Sequence, residues 1–317
     1  MKKNNISLLF TRFGTLLMLL VIFISFCLFI EGFASPKNLM NILRQISLLA
    51  IIAEGFTMCL IVNEMDLSFA NVACLCGIVS AGLVLKGHGT FAAVVVPLLI
   101  GLGFGIASGL LVTMVGISSL ITTLAMGILA TGLTYWYTGG ISLYGTMPQS
   151  YLILGRGYFA GIPSLIVMMI IVVIVAHIFV NRTKAGIHLQ ATGANREAAK
   201  LSGINTDLYR ILALTICGLG AALTGILLTS RLGAGNPEAA SGYMMDTFAA
   251  ALLGTTVLHM GLASPIGTIV GALMIGILNN GMTLAGAQYY MQDVTKALII
   301  ILSVSIASSQ AKRLDRN

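Results

Sequence analysis

The chain has 317 residues, 57% of them hydrophobic and only 9% charged, with a formal net charge of +7. A soluble globular domain carries about 25% charged residues, so a water-facing surface cannot be assembled from this composition and the surrounding solvent is lipid. The basic excess does not point to nucleic acid either. Eleven of the 17 Lys and Arg fall in three clusters, 2–12, 182–210 and 312–316, as cytoplasmic ends and loops do under the positive-inside rule.

Unbroken apolar runs such as TLLMLLVIFISFCLFI (15–30) lack the lipid/lumen alternation of a β-barrel. A helical crossing needs roughly 20 such residues. The first run, 13–31, has no small-residue cleavage site and reads as a retained span. Further spans are expected at 46–62, 68–86, 91–115, 118–138, 163–181, 208–230, 243–258, 265–282 and 290–309. The predicted fold class is all-α: a polytopic transmembrane helical bundle of about ten spans, a single transmembrane domain over 1–317. An even count places both termini in the cytoplasm with the loop 182–207, and puts 139–162 and 231–242 on the opposite face. The 243–258 span is the shortest and is open to a re-entrant reading.

Taken in chain order, the first polar interruption is NEMDLSF at 63–69, with Glu64 and Asp66. Charge at membrane depth is expensive and marks function by default. Asp66 or Ser68 would cap the next helix, or 63–68 is unwound backbone lining a transport path; the two readings are compatible. The five cysteines, Cys27, Cys59, Cys74, Cys76 and Cys217, lie in apolar runs without a metal or redox spacing. They read as small buried hydrophobes, and no metal is expected. Gly101, Gly105 and Gly109 fall on one helix face, and Gly267 with Gly271 repeats the spacing, which is how helices pack closely in lipid. Asp246, Asn279 and Asn280 are polar groups inside apolar helices, serving either interhelical hydrogen bonds or a translocation path or gate. Lys296 follows Asp293 by three residues and is expected to neutralise it.

No GxxxxGK[ST] loop is present to cradle ATP. HExxH and GxSxG are missing too, so no catalytic apparatus is visible and no cofactor is expected on this chain. The stretch TGANREAAKLSG (192–203) is a charged, helix-forming interruption between two spans. Ala194, Ala198 and Leu201 share a face at i, i+4, i+7. Too short to stand alone, it reads as a cytoplasmic knob for a partner, or as a solvated loop with incidental helix.

That stretch, TGANREAAKLSGIN, resembles the cytoplasmic coupling segment of the permease subunits of bacterial ribose-type ABC importers, a family with simple-sugar and autoinducer-2 permeases. NLMNILRQISLLAIIAEGFTM, MDLSFANV, GYMMDTFAAALLGTT and GTIVGALMIGILNNGMTLAG agree in the same order, so the resemblance covers roughly 35–308. It implies a bacterial inner-membrane subunit that moves a small polar solute, most simply a monosaccharide, through a path shared with a second permease subunit, identical or homologous. A periplasmic binding protein would deliver the solute, and a cytoplasmic ATPase carrying ATP and Mg would grip the coupling helix. Carried over by position, Gly193, Asn195, Ala198, Ala199, Leu201, Ser202 and Gly203 would dock in the ATPase groove. The chain departs from the family at Glu64–Ala70, where Gly-Ile-Asp-Leu-Ser-Val-Gly is usual. It departs again at LHMGLASPIG, where His259 and Pro265 stand in place of a double-glycine turn. From the residues alone, the alternative is an ion-coupled secondary transporter using Glu64, Asp66 or Asp246. A membrane enzyme built on Glu64, Asp66 and His259 has no motif behind it.

Overall fold

The computed structural model describes residues 5–257, 262–288, 290–299 and 301; His259 lies outside them. The helices are α1 (Asn5–Phe29), α2 (Pro36–Ile61), α3 (Phe69–Leu85), α4 (Gly89–Leu110, continued by a π turn over Leu111–Val115), α5 (Ser119–Thr138) and α6 (Gln149–Arg156). They continue with α7 (Ser164–Arg182), α8 (Lys184–Ala194), α9 (Arg196–Leu201), α10 (Thr206–Leu232), α11 (Tyr243–Gly254) and α12 (Pro265–Leu284). Residues 290–299 are helical again, and a two-stranded ribbon pairs β1 (Tyr158–Phe159) with β2 (Ile162–Pro163). Among the described residues, α2, α4 with its π turn, α5, α7, α10 and α12 are long and apolar enough to cross a membrane. Thr15–Phe29 and α3 are shorter apolar helices. The class is all-α and membrane-embedded, as expected.

Helix starts follow local chemistry. Ser35 and Ser264 each cap a helix whose first residue is proline (Pro36, Pro265), a position where the missing N–H costs nothing. The centre of the bundle is α2 and α10, the two most enclosed of the crossing helices. Glycine sets how close they come. A Cβ on Gly101 would overlap the Gly218 carbonyl of α10, one on Gly105 would meet Leu214 and Thr215, and one on Gly109 would meet Ile211. Gly267 and Gly271 do the same against Gly254 and Ala250, running α12 antiparallel to α11, while Gly276 is filled by Ile46 of α2.

Three expectations change. The span expected at 243–258 is helical only over α11, whose 12 residues reach about 18 Å against a hydrocarbon core of about 30 Å. Its missing length is supplied by the preceding chain. Gly235 pairs with Leu143 beside Ala81, Ala240 donates to Cys74 Sγ at 3.4 Å, and Phe248 packs on Phe56 and Phe69. Residues 235–248 thus run beside α3 from Ala81 to Phe69, so 231–242 packs against the bundle on one side. Gly235, Pro237 and Ala240 are buried there, while Asn236, Glu238, Ser241 and Gly242 stay exposed.

The second change concerns 139–162, which contains α6. The fully buried Tyr151 of α6 bonds Ser80 at 2.6 Å, and Arg156 donates to the carbonyls of Arg231 and Leu232 at the C-terminus of α10. Third, 182–207 holds two helices, α8 and α9, rather than one.

Candidate functional site

At one end of the bundle α2 stops at Ile61 and the chain turns through Asn63 in the left-handed region (φ 57°). Asn63 Nδ2 donates to the Gly193 carbonyl at 2.6 Å. A Cβ on Gly193 would overlap the Ile61 carbonyl oxygen, so only glycine lets the end of α8 lie on the end of α2. The unwound backbone beyond is satisfied by α5: Met65 N–H donates to Ser119 Oγ (3.1 Å) and Leu67 N–H to Thr123 Oγ1 (2.9 Å). Glu64, 5% exposed, accepts from Arg196 (2.8 Å) and Arg210 (2.6 Å), and Arg210 also pairs with Asp207 at 3.2 Å. One buried carboxylate therefore ties the starts of α9 and α10 to the end of α2, beside a cavity of about 510 Å³.

Asn195 Oδ1 caps α9 by accepting from Ala198 N–H at 2.9 Å. With Arg196 held down, α9 leaves Ala198 and Leu201 exposed, Leu201 at 90%, together with Asn195, Glu197, Lys200, Ser202 and Gly203. Ala199 is buried and Gly193 faces α2, so these two seat the segment rather than line its outer side.

Asp66 Oδ1 accepts both the N–H (2.7 Å) and the hydroxyl (2.6 Å) of Ser68, closing the turn into α3; the Ser68 side chain makes no capping bond of its own. Donor atoms of Asp66, Cys59 and Cys217 lie within 4.8 Å of one another, a gathering from three elements that their sequence spacing does not announce.

Toward the opposite end lies a cavity of about 710 Å³ between α2, α11, α12 and the helical stretch 290–299. Asp246 and Asn279 both line it, and Asn279 Nδ2 donates to Asp246 Oδ2 at 2.9 Å. Lys296 pairs with Asp246 at 2.7 Å and with Asp293 at only 3.7 Å. The tighter partner is thus on α11, and the i, i+3 neighbour is secondary. Asn280, about 100° further round α12, leaves the cavity and exchanges two amide hydrogen bonds with Asn38 at the start of α2. Glu54, in the middle of α2, is 1% exposed and has no hydrogen-bond partner among the described residues.

A sequence model of the family described as branched-chain amino acid transport system / permease component matches residues 38–304. The chain is 35% identical over 278 residues to the ribose import permease protein RbsC of Escherichia coli (strain K12), covering 87% of each. It is 33% identical over 294 residues to RbsC of Bacillus subtilis (strain 168), covering 92% of this chain and 91% of the relative. Against the D-allose transport system permease protein AlsC of Escherichia coli (strain K12) it is 30% identical over 307 residues, covering 96% of this chain and 94% of the relative.

Proposed function

The chain belongs to the branched-chain amino acid transport system / permease component family, and from that premise we propose that it is the transmembrane subunit of an ATP-driven ABC importer of a small sugar. It is a multi-pass membrane protein and not itself an enzyme. Its relatives by name carry ribose and allose, which favours a monosaccharide over an amino acid. In this reading 1–317 is one permease domain of ten passages in the bacterial inner membrane, the eighth broken as described, with both termini and the 182–207 loop in the cytoplasm. ATP and Mg belong to a partner ATPase, a periplasmic binding protein delivers the solute, and a second permease subunit completes the path.

The observation that carries the reading is the α9 knob: Ala198 and Leu201 stand exposed on it beside Glu197 and Lys200, while Arg196 at its start is tied through Glu64 to the end of α2 and to Arg210 of α10. A short helix so anchored can pass a partner's motion into the bundle. The ion-coupled alternative is not favoured, because Glu64 and Asp246 already hold counter-charges. Ala198→Arg, on the exposed side, should leave the permease folded but release the co-purifying ATPase and abolish D-ribose uptake. Retention of both would overturn the coupling assignment.

A further inference from the structure

We infer that the 710 Å³ cavity is a weak subsite for an uncharged polyhydroxylated solute, with Asp246 and Asn279 as its hydroxyl-binding wall. The inference rests on the importer reading and narrows it. Ligand sites commonly measure about 300–1,000 Å³ and set a few polar groups among apolar ones. Here Leu49 and Tyr243 also line the cavity and supply apolar surface for a sugar's C–H face. On α2 the lining runs from Gln45 to Leu49, about 6 Å of helix, ending about 20 Å from the start of α2.

Charge selects the solute. Among the described lining residues the ionised groups are Asp246, Asp293 and Lys296, and the lysine is shared by both carboxylates. Among the described lining residues no unpaired cation is left to receive a solute carboxylate, and their ionised groups sum to a net negative charge. An α-amino acid or a sugar acid would have to bury its carboxylate unpaired, which is costly. Hydroxyls meet no such barrier. Asn279 donates to Asp246, which fixes the orientation of its amide. Its Oδ1 is buried without a hydrogen-bond partner among the described residues, an unmet acceptor in the cavity wall. Gln45, exposed on α2, adds an amide able to donate and accept. The family description mentions branched-chain amino acids, and this wall argues against them for this chain.

Saturation-transfer NMR on the full chain with its ATPase in lipid nanodiscs, without binding protein, tests the subsite directly. D-ribose, D-allose and L-arabinose should give signals, whereas L-leucine and D-gluconate should not. Asn279→Leu should weaken sugar binding about tenfold, as expected for losing one hydrogen bond to a polar wall, with the thermal melting of the complex kept. If that variant fails to assemble, Gln45→Leu, at an exposed lining position, carries the same test. Binding of L-leucine equal to that of the sugars, or variants that bind sugar as well as the parent, would overturn the inference. ATP-driven D-ribose uptake with binding protein present, measured on the same preparation, keeps the two readings apart: uptake without subsite binding sinks the subsite alone, and no uptake of any of the three sugars sinks the importer reading with it.

Discussion

The Glu64 side chain, itself buried, sits between two guanidinium groups that differ sharply in burial: the Arg210 side chain is 12% exposed and that of Arg196 is 37%. That difference decides what each contributes. Glu64→Ala leaves the enclosed Arg210 with only the half-exposed Asp207 and should cost about 3 kcal/mol, the lower end of the penalty for breaking a buried pair from one side. Arg196→Ala removes a partly solvated partner and should cost about 0–1 kcal/mol. Thermal or denaturant unfolding of the purified complex compares the two, and equal losses would mean that Arg210 is better solvated than its burial implies. Sequence alone flagged Glu64, since an acid near membrane depth stands out. Its partners lie 132 and 146 residues further on, and no local pattern connects them. The same holds for Lys296, where the nearby Asp293 was visible and the tighter Asp246 was not.

At the scale of helices, spacing reveals a face and says nothing of what it faces. Gly101, Gly105 and Gly109 recur every fourth residue, so their common side was legible; that α10 covers it came only from the structure. Because a Cβ at Gly105 would already meet Leu214 and Thr215 backbone, Gly105→Leu has to push α4 off α10. Overpacking of this kind costs typically 1–3 kcal/mol, and more where backbone must move. The expected outcome is a marked drop in the complex's melting temperature, while Gly103→Leu, at a position with open space beside it, should leave melting nearly unchanged. The course of 235–248 beside α3 was hidden for a different reason. RLGAGNPEAASGY is polar and glycine-rich, the composition of a loop, and nothing in it announces that Gly235, Pro237 and Ala240 are buried.

For the whole molecule, the useful question is where energy enters. A gradient-driven carrier needs a carboxylate that gains and loses its ion as the path opens. Glu64 is clamped by two arginines at one end, and Asp246 is paired with Lys296 toward the other. Asp66 is closed into a turn with Ser68. The exposed side of α9 is instead poised to be moved from outside, and Asn63, Gly193 and Glu64 connect it rigidly to α2 and α10 at the bundle's centre. A partner that binds α9 differently in its nucleotide-closed and nucleotide-open forms shifts the bundle between two states by that difference in affinity. In proteoliposomes holding the chain with its ATPase, and with binding protein outside, D-ribose uptake should stop when ATP is omitted from the ATPase side. It should persist when ionophores collapse the proton and sodium gradients. Uptake that ignores ATP and fails with the ion gradient would place the energy source on this chain's own carboxylates and remove α9 from the mechanism.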